Sequence, residues 1–267
     1  MNAHTITKND TGVSESIGFL LIFSMVIVGI GLVTLYGYPL LLREQTSADE
    51  QIMQKSMIVL QNDLKSLTFK TVPYKETMLN TGSGQLVVIN STVHKPTISL
   101  RDTVTGPIPV ATNFRSGEIR YSSSSADSVI SLQNGAVVSR NLVEPGSVMF
   151  AQPRWFYDET TNVMVVNLIS FNSTANLAKH GVADVQMRMN QTNYSVITPT
   201  SGDICLAYTP DTSAGGDNYQ MAWDTYFVST MGMVKGGGAC NANEYRFRVA
   251  APGTLVIKKY DVDIVSL

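Results

Sequence analysis

The sequence predicts an α+β chain, a long N-terminal helix of membrane-spanning length followed by an all-β, sandwich-like domain, and three observations carry that prediction. Ile17 to Leu42 runs for 26 residues without a charged side chain. Met53, Met57, Leu60, Leu64 and Leu67 then recur at spacings of 4, 3, 4 and 3, the period of one helix face. From Lys70 the pattern changes to short alternating runs bounded by Gly, Pro, Asn and Ser. The expected parts are a short polar segment over 1–12, the helix over 13–69 and the β-rich domain over 70–267.

The uncharged run would reach about 39 Å as a helix, against a hydrocarbon core of about 30 Å. It is too long for the apolar part of a secretory signal and lacks the small-residue cleavage site such a signal ends on. A core helix would be apolar along one stripe, whereas here Gly29, Gly31 and Gly37 sit among Leu, Ile, Val and Phe on every face. Few basic residues flank the run, Lys8 before it and Arg43 after it. Orientation is therefore read from the remainder of the chain: a long Ser/Thr-rich region with two cysteines and several glycan sequons suits the outside. The expected placement is the cell membrane, single-pass, with an extracellular C-terminal domain. With 19 basic and 21 acidic residues the net charge is −2, which leaves no nucleic-acid partner and no polybasic membrane clamp to expect.

Beyond Arg43 the helix becomes amphipathic, with Gln51, Gln54, Lys55, Gln61, Asn62 and Asp63 on the faces that the Met/Leu stripe leaves. That stripe can pack on the chain's own β domain or on copies of itself. Pro73 and Tyr74 mark the end of the helix. Pro39, two residues after Gly37, marks the expected kink, because it removes a backbone hydrogen bond in mid-helix.

The segment entering the run reads Gly12-Val13-Ser14-Glu15-Ser16-Ile17-Gly18. It resembles the opening of archaeal type IV pilins and archaellins, in which a short class III leader ends in Gly or Ala directly before a hydrophobic helix. The resemblance implies that 1–12 is a prepilin-type leader, cut between Gly12 and Val13 by a prepilin-type peptidase. It also implies a pilin-like N-terminal helix that stays in the membrane and self-associates. Glu15 at the start of such a helix is favoured as a carboxylate by the helix dipole alone. The resemblance adds a sharper role in assembly, pairing of Glu15 with the freed Val13 amine in its own or a neighbouring subunit.

In the β-rich part, strands are expected at Gln85–Ser91, Glu118–Ser122, Ser128–Gln133, Ala136–Arg140, Ser147–Gln152 and Val163–Phe171. Four more are expected at Val182–Met189, Tyr194–Thr198, Glu244–Val249 and Thr254–Val265. Asn134-Gly135 is the strongest hairpin signal, since a type I′ turn needs positive φ at both central residues. Pro252-Gly253 is a second turn, and Asp211–Asp217 and Lys235–Ala239 read as loops.

Cys205 and Cys240 are the only cysteines, and they form either one disulfide or two free thiols. Possible N-glycosylation sites are Asn90, Asn172, Asn190 and Asn193; the sequon at Asn9 falls in the leader. His4, His94 and His180 are isolated, and no HExxH, CxxC pair, GxSxG, P-loop or GxGxxG pattern occurs, so neither a metal nor another cofactor is expected. Asp158-Glu159 and Asp261 with Asp263 are local carboxylate pairs, the second read as a solvated strand face, and Asp211, Asp217 and Asn218 lack the EF-hand pattern for calcium. Trp155, Phe156 and Tyr157, and Tyr219 to Phe227 around Trp223, are core anchors or an adhesive sugar-binding patch. The expected function is that of a structural, non-enzymatic surface protein, a filament or pseudopilus subunit used in adhesion or surface organisation. Its rivals are a singly anchored domain that never polymerises and an anchored hydrolase, for which the sequence offers no convergent site.

Overall fold

The apolar run forms helix α1, Thr11–Leu32, passes through a π-helical turn at Val33–Gly37 and resumes as α2, Tyr38–Phe69. Tyr38 N–H bonds the Val33 carbonyl, five residues back, just before Pro39. A wider turn at that place accommodates a residue that has no N–H to give. Within the run the hydroxyls of Ser24 and Thr34 donate to Leu21 O and Ile30 O at 2.9 and 2.8 Å, which keeps even its polar groups satisfied inside the helix. The computed structural model describes residues 11–70, 72–123, 127–143, 145–197, 203–213, 216–248 and 253–267. They fall into two compact units, residues up to Ala48 and Asp49–Leu267, so the boundary lies inside α2.

Among the described residues the second unit carries fourteen strands: β1 Tyr74–Ile89, β2 Thr97–Asp102, β3 Gly106–Pro107, β4 Glu118–Ser122, β5 Ser128–Gln133, β6 Ala136–Asn141, β7 Ser147–Ala151, β8 Phe156–Asp158, β9 Val163–Asn172, β10 Ala178–Ile197, β11 Asp203–Thr209, β12 Val234–Gly237, β13 Cys240–Arg248 and β14 Thr254–Ser266. Nine form one sheet in the order β7-β6-β5-β4-β1-β10-β14-β9-β8, and five form a second in the order β12-β13-β11-β2-β3. Every pairing is antiparallel except β14 with β9. A short helix α3, Gln220–Thr225, followed by a π turn at Tyr226–Thr230, lies between β11 and β12.

Two cores flank the large sheet. On one face the predicted stripe of α2, Met53, Met57, Leu60, Leu64 and Leu67, is fully buried among Leu86, Ile119, Tyr121, Val185, Val262 and neighbours. Each such side chain contributes about 1.5–3 kcal/mol by leaving water. Gln61 sits in the same seam and donates to Gly135 O at 2.6 Å and Gln152 O at 2.9 Å. The helix ends under Phe69, whose ring meets Tyr260 edge-on at 5.4 Å with Arg154 over its other side at 4.7 Å. On the opposite face, Ala136, Val138, Met164, Val166, Leu255 and Ile257 of the large sheet pack against Leu100, Leu206, Tyr245 and Phe247 of the small one and against the rings of α3. The β part is thus a two-sheet sandwich with α2 laid on its outer face.

The expected hairpin forms, with Asn134 at φ 47° and Gly135 at φ 72° between β5 and β6. Other expectations need correction. Val182–Met189 and Tyr194–Thr198 are one strand, β10, with a bulge between Met189 and Gln191. The loop expected at Lys235–Ala239 is mostly strand β12, hairpinned onto β13. β2, β3, β8, β11 and the first part of β1 were not expected as strands, nor α3 as a helix. Thr198, Val249 and Pro252 lie outside the described residues.

Candidate functional site

The apolar segment is the first candidate, because it is unlike everything else in the chain. Its large side chains are exposed on every side, Phe19 at 71%, Leu20 at 68%, Met25 at 79% and Leu41 at 69%. From Ser16 it belongs to a helix long and apolar enough to cross a membrane. Leader residues up to Asp10 lie outside the described residues. Gly12, Val13 and Glu15 are within α1 by backbone, and their side chains lie outside the described part.

The second candidate is a small polar cavity of about 180 Å³ between the sheets, lined by His94, Lys95, Glu118, Arg120, Asp211, Asp217 and Tyr219. Glu118 opens β4 beside Ile89 of β1, and with Arg120 it points to the side of the sheet away from α2, since the alternating Ile119 and Tyr121 face the helix. The Ser131 hydroxyl donates to Glu118 at 2.6 Å, and Arg120 and Arg140 bracket Asp217 at 2.8 and 3.7 Å. Burial pushes the Glu118 carboxyl up to about 7 and the His94 imidazole down to about 4. The two approach to 4.0 Å, but with the imidazole pushed down and the carboxyl pushed up this is not a contact of two full charges. Neither ring nitrogen of His94 has a partner among the described residues. Within the cavity the two guanidinium groups of Arg120 and Arg140 balance the Asp217 carboxylate.

The remaining predicted residues are scattered. Cys205 and Cys240 form a disulfide joining β11 to the β12–β13 hairpin. Glu244 lies beside it, and its carboxylate is held below the ordinary range by hydrogen bonds from Arg101 at 2.9 and 2.5 Å. The two sulfurs and Glu244 are close enough together to resemble a metal cluster, but sulfurs bonded to each other are not thiolate ligands. Asp158 accepts from Thr160 N and Thr161 Oγ1 and so closes the turn between β8 and β9; Glu159 is not part of that arrangement. Asp261 and Asp263 are not a simple solvated face: their side chains are 16% and 23% exposed and pair with Lys259 and Arg188. His180 touches Gly84 O.

Trp155, Tyr219, Trp223, Tyr226 and Phe227 are all buried in the core between the sheets, so no adhesive patch exists there; Phe156 alone of the predicted aromatic set is exposed. Among the sequons, Asn190 and Asn193 are exposed on β10, while Asn90 and Asn172 are half-buried and hydrogen-bonded to Ser173 O and the Ser91 hydroxyl. The cavity around Glu118 was missed in the sequence. Its only signal was Glu118 and Arg120 alternating with Ile119 and Tyr121, which says that two charges share a face and nothing about that face being covered.

Fold and site together define a protein with one strongly apolar N-terminal helix whose amphipathic continuation is built into a two-sheet β domain. Residues 11–264 match the model of a family of unknown function (DUF7289), and the chain belongs to that family, helix and β domain alike. No curated protein and no solved structure matches the chain.

Proposed function

We propose that the protein is a membrane-anchored, pilin-like structural subunit of a surface filament or pseudopilus, with its β domain outside the cell. The observation that carries this reading is the apolar helix itself: side chains from Ile17 to Leu42 are exposed around the whole circumference. At about 25 cal/mol per Å² such a surface requires lipid or sister helices around it. Cleavage after Gly12 by a prepilin-type peptidase and the assembly role of Glu15 belong to the same proposal.

One observation favours a second reading, a singly anchored domain that does not polymerise. The α2 stripe that could have paired with copies of itself is already consumed by its own β domain. The uncharged segment is then the largest apolar stretch of the helix left exposed for association. Mass spectrometry of the membrane-fraction N-terminus separates processed from unprocessed chain: Val13 as first residue is expected, and an intact Met1 counts against the pilin reading. Electron microscopy of sheared surface material is expected to show filaments that contain the chain; their absence selects the lone anchor.

A further inference from the structure

All but Phe156 and Tyr157 of the aromatic residues weighed as core anchors or as a sugar- or surface-binding patch are buried in the core, but a polar surface lies elsewhere on the β domain. An open groove of about 700 Å³ is lined by residues from β9, β10, β14 and the loops around Ser91 and Asn113. It exists because one face of the large sheet changes character along its strands. Leu255 and Ile257 of β14, beside Met164 and Val166 of β9, lie under the small sheet. Further on, the same face carries Lys259, Asp261 and Asp263 beside Leu168, Ser170 and Asn172.

β10 is turned into register with this polar stretch by its bulge. Ala183, Val185 and Met187 face α2, yet after the extra residue Asn190 the next odd positions pair with the groove-bearing face: Gln191 with Asp261 and Asn193 with Lys259. The groove is therefore a built feature of three adjacent strands.

Apart from Arg115 at its edge, whose guanidinium donates to Thr92 O at 3.1 Å, its chemistry is uncharged. Lys259 and Asp261 neutralise each other at 3.3 Å, and the Ser170 hydroxyl also donates to Asp261. What remains is a set of amides, each tied down at one end. Asn172 Oδ1 accepts from the Ser91 hydroxyl at 2.5 Å, which leaves Nδ2 as a donor. Asn190 Nδ2 donates to Asp263 at 3.1 Å, which leaves Oδ1 as an acceptor. Gln191 Nε2 donates to Asn193 Oδ1 at 3.3 Å, so Gln191 keeps an acceptor and Asn193 a donor. None of the four remaining ends has a partner among the described residues. Two donors and two acceptors are thus offered by amides that are each held at their other end, which suits a ligand with neighbouring hydroxyls that each give and take a hydrogen bond.

We propose that this groove binds a neutral saccharide through Asn172, Asn190, Gln191 and Asn193. The proposal stands apart from the filament reading, because a solubilised single chain suffices to test it. The full chain in detergent is titrated with glucose, mannose, galactose and N-acetylglucosamine, and with glucuronate as a charged control, while the side-chain amide NMR signals of Asn172 and Asn193 are followed. At least one neutral sugar is expected to shift those signals with millimolar affinity, and Gln191→Leu and Asn172→Leu to weaken it about tenfold or more. Thr192→Val, which removes the Asn190 sequon and leaves every groove amide in place, is expected to bind as before; both Gln191 and Thr192 are exposed, so the melting curves of these variants should match the parent. The proposal is overturned if no neutral sugar shifts the amides, if binding survives Gln191→Leu unchanged, or if native peptides carry a glycan covalently on Asn172, Asn190 or Asn193.

Discussion

Glu118 and His94 pull the pH dependence of the β domain in opposite directions. Glu118 titrates higher in the fold than in the open chain, so its contribution is fully present below the ordinary carboxyl range near 4.5 and is lost as pH rises through about 7. His94 titrates lower in the fold, so its contribution is present above 6.5 and is lost as pH falls through about 4. The windows overlap and partly cancel in mildly acidic solution; above it the Glu118 loss stands alone. Glu118→Gln keeps an acceptor for the Ser131 hydroxyl and removes the titration. It is expected to lessen the fall in stability between pH 5 and pH 8 by about 1–3 kcal/mol, read as melting temperature at the two pH values. A variant that loses stability with rising pH as steeply as the parent would refute the assignment to Glu118.

At the scale of elements, the α2 seam and the disulfide make separate contributions. Leu64→Ala opens a cavity in a fully buried position and should cost about 2–5 kcal/mol in denaturant unfolding. Gln61→Ala strands the carbonyls of Gly135 and Gln152 and should cost about 1–3 kcal/mol. Reducing the Cys205–Cys240 bridge, which closes a separation of 35 residues, should cost about 3–4 kcal/mol on the chain-entropy view, measured as the shift in melting with and without reductant.

The same elements explain what was legible in the sequence. All five stripe residues of α2 and the Asn134-Gly135 turn could be read in advance because each obeys a single local rule, helical period or positive φ. β4 and β5 were bounded correctly by their turn residues. β11 was missed because Ile204, Cys205 and Leu206 are all buried, which erases the alternation that marks a strand. α3 was missed because its signal, Tyr219, Trp223, Tyr226 and Phe227 at helical spacing, spans barely two turns. β10 was split because its bulge reverses the parity of its faces in mid-strand. The polar cavity and the groove were not readable at all, since both depend on which strands become neighbours.

For the whole molecule, the proposed membrane anchoring would have the apolar segment and the β domain answer to different solvents. A charge in the middle of the run should therefore affect membrane residence without affecting the fold of Asp49–Leu267. Val26→Lys is expected to cost about 2.5–3.5 kcal/mol of insertion and to move chain out of the membrane fraction. The melting transition of the β domain should stay where it was, and a parallel loss of both would mean that the two units are not independent.

The bulge at Asn190 has a further consequence, which concerns how this family can vary. A strand with one inserted residue works like a reading frame: upstream of Asn190 the odd positions face the side of the sheet that carries α2, and downstream of it the odd positions face the side that carries the groove. Deleting Asn190 would not remove one amide but would swap the destinations of every residue after it, turning Gln191 and Asn193 toward α2 and Thr192 and Tyr194 toward the groove. Away from the groove amides, point substitutions in the Gln191–Ile197 arm should thus disturb the strand less than single-residue insertions or deletions, and descendants should keep its length more faithfully than its letters.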